Sequence, residues 1–158
     1  MMIYKIHNHN EKWIITDNQT LNETQLTLNP IEHKLFNNDT FTYDIITNKV
    51  TIIHSEIRSI NYLIPGVLIL QDNKTYGRHK PNGKLMYKCI PDDKHIPAFL
   101  IPYEIKHMGF SKIFNNLYVI INYSQWNNKH PQGIITQTIG EIDNLSNFYE
   151  YQLYCKKL

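Results

Sequence analysis

Short apolar runs separated by polar turns fill most of the chain, and within the runs apolar and polar residues alternate with the period of a strand. Ile3-Tyr4-Lys5-Ile6 and Trp13-Ile14-Ile15 flank a polar His-Asn-His-Asn-Glu turn, which predicts a first hairpin. Residues 20–29 alternate Leu21, Leu26 and Leu28 with polar neighbours, as an edge strand or loop does, and Pro30 limits any ladder there. Residues 40–46 alternate cleanly, Thr47-Asn48-Lys49 turn, and Val50-Thr51-Ile52-Ile53 run back as the second arm of a hairpin. Residues 64–70 read as a buried strand, 71–75 as its turn and 85–90 as the next strand; 117–123 and 133–139 supply two more. Many short strands punctuated by Gly, Asn and Pro predict a small barrel or sandwich. Two helices are expected. One spans 102–108, closed by Gly109 with Lys106 and His107 in its last turn. The other starts at Asp143 as N-cap and carries Leu145, Phe148, Tyr149, Gln152 and Leu153 toward Lys156-Lys157.

Composition supports the β reading. Alanine occurs once, at Ala98, while Ile, Thr and Tyr are abundant, although AT-rich codons account for part of that bias. With 158 residues, 42% of them hydrophobic and 19% charged, the chain is long enough for a real core and too weakly charged to be a disordered polyelectrolyte. A net charge of +2 leaves any nucleic-acid partner to a local cluster of cations. Cys89 and Cys155 lie far apart with no CxxC partner, so neither a disulfide framework nor a zinc ribbon is expected. No apolar signal core follows Met1, and the longest apolar run, 63–70, is broken by Pro65-Gly66 and far too short to span a bilayer. A soluble, cytoplasmic protein without membrane contact is the expectation.

The segment Ile90-Pro91-Asp92-Asp93-Lys94-His95-Ile96-Pro97 resembles the linker motif of the RNase II/RNase R and Rrp44/Dis3 exoribonucleases, in the second cold-shock (OB) region upstream of their catalytic domain. The downstream order is similar too. Tyr118-Val119-Ile120-Ile121-Asn122 with Trp126 resembles the family's strand ending in Trp, Pro131-Gln132-Gly133 its Pro-x-Gly turn, and Ile139-Gly140-Glu141-Ile142 its Leu-Gly-Glu-Ile. Upstream, Leu35-Phe36-Asn37-Asn38-Asp39-Thr40-Phe41 resembles the motif closing the first cold-shock region, and Ile64-Pro65-Gly66-Val67-Leu68 the opening strand of the second. His95 stands where the family has Arg, the loop from Trp126 to Pro131 is short, and the chain ends before the Asp-rich catalytic domain would begin. The resemblance implies a mainly β protein with a five-stranded, cold-shock-like OB barrel over 50–142. A partial or compact first OB-like unit over 1–49 precedes it, and a C-terminal helix over 143–158 follows. It further implies single-stranded RNA binding without catalysis in this chain and without a cofactor.

The residues themselves point to one binding segment. Lys74, Tyr76, Arg78, His79, Lys80, Lys84, Tyr87 and Lys88 surround a Gly-rich turn, and OB folds use this region to stack bases on aromatics and track phosphates with cations. The competing reading is a solvated hairpin with ordinary lysines. Asp92 and Asp93 read as turn residues rather than metal ligands, His7 and His9 as surface residues, and Cys89 as a core thiol. Trp126 is expected to plug the barrel end. Two alternatives to RNA binding stay open: a protein-interaction module derived from an OB fold, docking a separately encoded nuclease, and the N-terminal part of a split exoribonuclease.

Overall fold

A computed structural model describes residues 1–105 and 114–157. The chain forms two compact units, Met1–Ser59 and Ile60–Leu158. The division falls later than the 49/50 boundary read from the sequence, because residues 49–54 are the return arm of a hairpin and stay with its first arm.

The first unit contains β1 (Tyr4–His9), β2 (Lys12–Asp17), β3 (Thr40–Asp44) and β4 (Lys49–His54). They form an antiparallel sheet in the order β2-β1-β3-β4. Both expected hairpins are present, with β1 pairing β2 and β3 pairing β4. Ile6, Ile15, Leu35 and Phe41 form its core, and Leu26 and Leu28 pack against them from the long connection after β2. That connection touches the sheet at one bridge, Thr16 to Glu23, so residues 20–29 behave as a loop rather than an edge strand.

Asp39, fully buried, organises the rest of this unit. Its carboxylate accepts from the Phe36 N–H at 2.8 Å, the Ser55 hydroxyl at 2.5 Å and Arg58 Nη1 at 2.7 Å. Arg58 also donates to the Lys34 carbonyl and lies 4.7 Å from the centre of the Phe36 ring. Burial pushes the Asp39 carboxyl up, and Ser55, the Phe36 N–H and Arg58 pull it back.

The second unit is a closed five-stranded barrel, as the family resemblance implies. Its strands are β5 (Ile64–Ile69), β6 (Met86–Pro91), β7 (Phe99–Pro102), β8 (Leu117–Gln125) and β9 (Gln132–Glu141), in the cyclic order β5-β6-β7-β9-β8. All neighbours are antiparallel except β7 and β9, which meet in parallel at Leu100 and Gln132 and close the barrel. This is the Greek-key order of an OB fold. The sheet order of the first unit repeats it with the third strand missing, and the Thr16–Glu23 bridge occupies that place beside β2.

Ile64, Leu68, Cys89, Phe99, Ile101, Val119 and Ile121 fill the barrel, and Trp126 is buried at the end of β8. Register shifts along β8 and β9 let strands of nine and ten residues curl far enough to close it. Gly133 marks a tight approach of backbone to backbone: a Cβ there would stand 2.5 Å from the Asn122 carbonyl oxygen and 3.1 Å from the Phe99 ring. The Pro131-Gln132-Gly133 motif is therefore a packing requirement of the barrel seam.

Two expectations change. Pro102 ends β7, residues 103–105 are not helical, and the remainder of the helix expected over 102–108 lies outside the described residues. The C-terminal helix is present as α1 (Leu145–Cys155), but Asn144, not Asp143, is its N-cap, with Oδ1 accepting from the Ser146 and Asn147 N–H groups. Helix α1 lies on the barrel through Tyr151, stacked on Tyr118 with centroids 4.3 Å apart, and through a Tyr154 hydroxyl donating to Gln137 at 2.8 Å. Among the described residues no helix is long and apolar enough to cross a membrane.

Candidate nucleic-acid interface

The connection between β5 and β6 is more ordered than a loop of polar residues suggests. After a 3-10 turn at Gln71–Asn73 the chain runs back beside β6. The Tyr76 N–H donates to the Met86 carbonyl and the Met86 N–H to the Gly77 carbonyl, each at 2.9 Å, and Arg78 bridges to Leu85. At the tip the His79 N–H donates to the Lys84 carbonyl at 2.8 Å and the Gly83 N–H to the His79 carbonyl at 2.7 Å. Gly83 sits at φ +70, where a side chain is disfavoured. Arg78 Nη1 donates to the Gly83 carbonyl at 2.8 Å, stapling the turn from the side.

This arm distributes the eight residues singled out above unevenly. Lys74, Arg78, Lys80 and Lys84 are exposed, and Tyr76, His79 and Lys88 are half-buried. Lys74 Nζ lies 5.5 Å from the centre of the Tyr76 ring. The Nδ1 of His79 is buried in the turn without a hydrogen-bond partner among the described residues. Tyr87 departs from the expectation. On β6 it alternates inward with Cys89, only 2% of it is exposed, and its hydroxyl donates to Asn73 Oδ1 at 2.7 Å. Its ring meets Tyr103 edge-on. No face of Tyr87 is open for a base to stack on, because strand alternation sends it into the barrel and sends Lys88 out.

The partners of this arm were not singled out in the sequence. The connection between β8 and β9 brings His130 edge-on to Tyr76, with ring centroids 6.4 Å apart. Burial lowers the His130 pKa, the charges of Lys129 and Lys88 lower it further, and a hydrogen bond with the Ala98 backbone acts against them. Lys88, Lys129 and His130 thus form a corner beside Tyr76 where another positive charge is disfavoured and an anion is welcome. A signal was present in the sequence, since Lys129-His130 lies in the connection between the last two barrel strands. OB folds use that loop together with the one between the first two.

The other candidates have structural places. Burial pushes the Cys89 thiol up to about 12, which leaves it inert at neutral pH. Asp93 closes a turn, its Oδ1 accepting from the His95 N–H at 2.9 Å and lying 3.4 Å from His95 Nδ1. The Asp92 N–H donates to the Pro65 carbonyl, so the Ile90-to-Pro97 motif ties the end of β6 to the start of β5. His7 and His9 stand on β1, half-buried and exposed. Among the described residues no three His, Cys, Asp or Glu side chains gather in a group that could hold a metal ion.

Residues 86–150 match the Dis3-like cold-shock domain 2 (CSD2) family. That match runs from β6 into α1 and takes in the Ile90-to-Pro97, Pro131-to-Gly133 and Ile139-to-Ile142 motifs. Among solved structures, yeast Ssd1, described as a pseudonuclease, shares the fold with a TM-score of 0.60 at 12% identity, over 96% of this chain and 24% of that chain. The chain therefore spans about a quarter of the length of that protein. A search of curated protein sequences finds no match. The resemblance to the OB/cold-shock region of the Dis3/RNase II family holds.

Proposed function

We propose that this chain, whose barrel is an OB cold-shock domain of the Dis3/RNase II family, binds single-stranded RNA and does not itself cleave it. The observation that carries the reading is the meeting of two barrel connections at Tyr76 and His130, with Lys74, Lys88 and Lys129 around them. An aromatic ring with cations nearby offers a base a stacking surface and its phosphates a counter-charge. Lys80 and Lys84 on the turn extend the cationic track. Net charge does not supply the affinity, so the corner must.

Fluorescence anisotropy of labelled oligo-U, oligo-dT and a duplex of equal length tests the reading. Single strands should bind more tightly than the duplex, because stacking requires unpaired bases. Absence of binding to all three at low salt would overturn it. The non-catalytic part is tested with magnesium or manganese present: labelled oligo-U should stay full length, and metal-dependent release of mononucleotides would overturn that part alone.

A second reading draws on α1. Its outer face carries Leu145, Tyr149 and Leu153, 63%, 60% and 52% exposed and one helical turn apart. Such a stripe suits docking of a protein partner, a separately encoded nuclease among them. This reading takes over if RNA binding fails.

A further inference from the structure

We infer that the cleft between the 78–84 turn and Tyr103 is a pocket for one nucleobase of the lactam kind, uracil or guanine, whose edge sets a carbonyl oxygen beside an N–H. The inference rests on the RNA-binding reading and adds to it which base is preferred.

The cleft has a volume of about 440 Å³, within the range of small-ligand sites, and its lining mixes polar groups, which predominate, with apolar and aromatic ones. Leu85, Phe114 and the Tyr103 ring supply the apolar side, and Asn73, Lys84 and Glu104 the polar one. It is preformed. The Tyr103 N–H donates to the Leu85 carbonyl at 3.0 Å, the Lys84 N–H is held by Asn82 Oδ1 at 2.9 Å, and Arg78 staples the turn through Gly83.

The polar groups select by type. Because the Tyr87 hydroxyl donates to Asn73 Oδ1, the Asn73 amide has its N–H donors left to offer. Lys84 contributes only donors, and Glu104 only acceptors. Donors and a carboxylate within one cleft suit a base that presents C=O next to N–H. Cytosine presents the reverse at the same edge, an amino group toward the donors and a bare ring nitrogen toward the carboxylate. Glu104 faces no conflict with the phosphates if these follow the exposed Lys80 on the turn.

A second cleft, of about 700 Å³, shares Lys84, Tyr103 and Glu104 with the first and continues to Ile134, Ile135 and Thr138 on β9. That continuation leaves room for nucleotides flanking the pocketed base. It favours a base within a strand over a free nucleotide, although the lactam edge is common to both.

The experiment compares oligo-U with oligo-C of equal length on the full chain, since the two bases differ only at the edge in question. The wild type should prefer oligo-U by roughly tenfold, the worth of one or two hydrogen bonds gained and lost. Glu104→Gln should bring the ratio toward one, because an amide both donates and accepts; this residue is exposed, so the fold is retained. Lys129→Gln, outside the cleft, should weaken both strands and keep the ratio. Equal binding of oligo-U and oligo-C by the wild type overturns the pocket and leaves the RNA reading standing. Failure to bind either strand overturns the RNA reading. If UMP then binds and Glu104→Gln removes its advantage over CMP, the pocket stands as a free-nucleotide site; if UMP does not bind, the pocket falls too.

Discussion

At the scale of single residues, the side chains that determine the fold are those with no space to give. Trp126 is 5% exposed just after β8, before the chain turns toward Pro131. Trp126→Ala should cost about 3 to 5 kcal/mol, as buried aromatic deletions do, read as a drop in the denaturant midpoint with the slope unchanged. An unchanged midpoint would mean that the ring bears no load. Gly133→Ala should also destabilise, for the opposite reason, overpacking. The new Cβ meets a backbone carbonyl and the Phe99 ring rather than a flexible side-chain end, so a loss of about 1 to 3 kcal/mol is expected in the same measurement. Both positions were legible as motif residues, and Cys89 was legible as a core thiol because it sits in an apolar strand. Tyr87 was not. An aromatic next to lysines in a basic segment looks like a stacking residue until the register of β6 is known, and one residue of register sends it inward.

At the scale of elements, alternation identified the long strands and both hairpins but not β7. Four residues, Phe99–Pro102, bracketed by Pro97 and Pro102, are too few to show a period, and the second proline reads equally well as the first residue of a helix. Asn144 and Asp143 are both good caps by residue type, so the sequence alone does not choose between them. In the structure Asn144 is the one whose side chain reaches the Ser146 and Asn147 N–H groups, while Gly140, at φ +145, lies against the Asn147 side chain. The candidate site was half visible for a similar reason: the arm over 74–88 is contiguous in sequence, whereas its meeting with His130 depends on closure of the barrel. That meeting carries two predictions. Tyr76→Ala should weaken oligo-U binding by about 1 to 3 kcal/mol through lost stacking, measured by anisotropy. Binding should also take up a proton. Burial, Lys129 and Lys88 hold the His130 pKa low in the free protein, and a phosphate at that corner offsets the lysine charges and raises it. A group whose pKa is higher in the complex adds affinity at low pH and loses it as pH rises through the bound-state value, so oligo-U should bind more tightly as pH falls from about 8 toward 5. His130→Asn should flatten that profile. A wild-type affinity independent of pH over this interval would place the phosphates away from His130.

At the scale of the whole molecule, the two units share one strand order, complete in the second and lacking its third strand in the first. Charge is nearly balanced, with 16 Lys and Arg against 14 Asp and Glu. A balanced molecule exerts little long-range pull on a polyanion, so the salt dependence of binding counts the local contacts and little else. If Lys74, Lys88, Lys129 and Lys80 each neutralise one phosphate, the log-log slope of affinity against salt should be roughly −3, from about −0.7 per contact on a single strand. Lys88→Gln and Lys129→Gln should each flatten it by about 0.7 and weaken oligo-U and oligo-dT alike. Lys12→Gln, at an exposed position of the first unit, should leave the slope as it was. A slope that falls equally for Lys12 and Lys129 would mean that the strand is held by diffuse charge over the surface. A slope near zero with measurable affinity would mean that stacking and the base edge carry the binding without the phosphates.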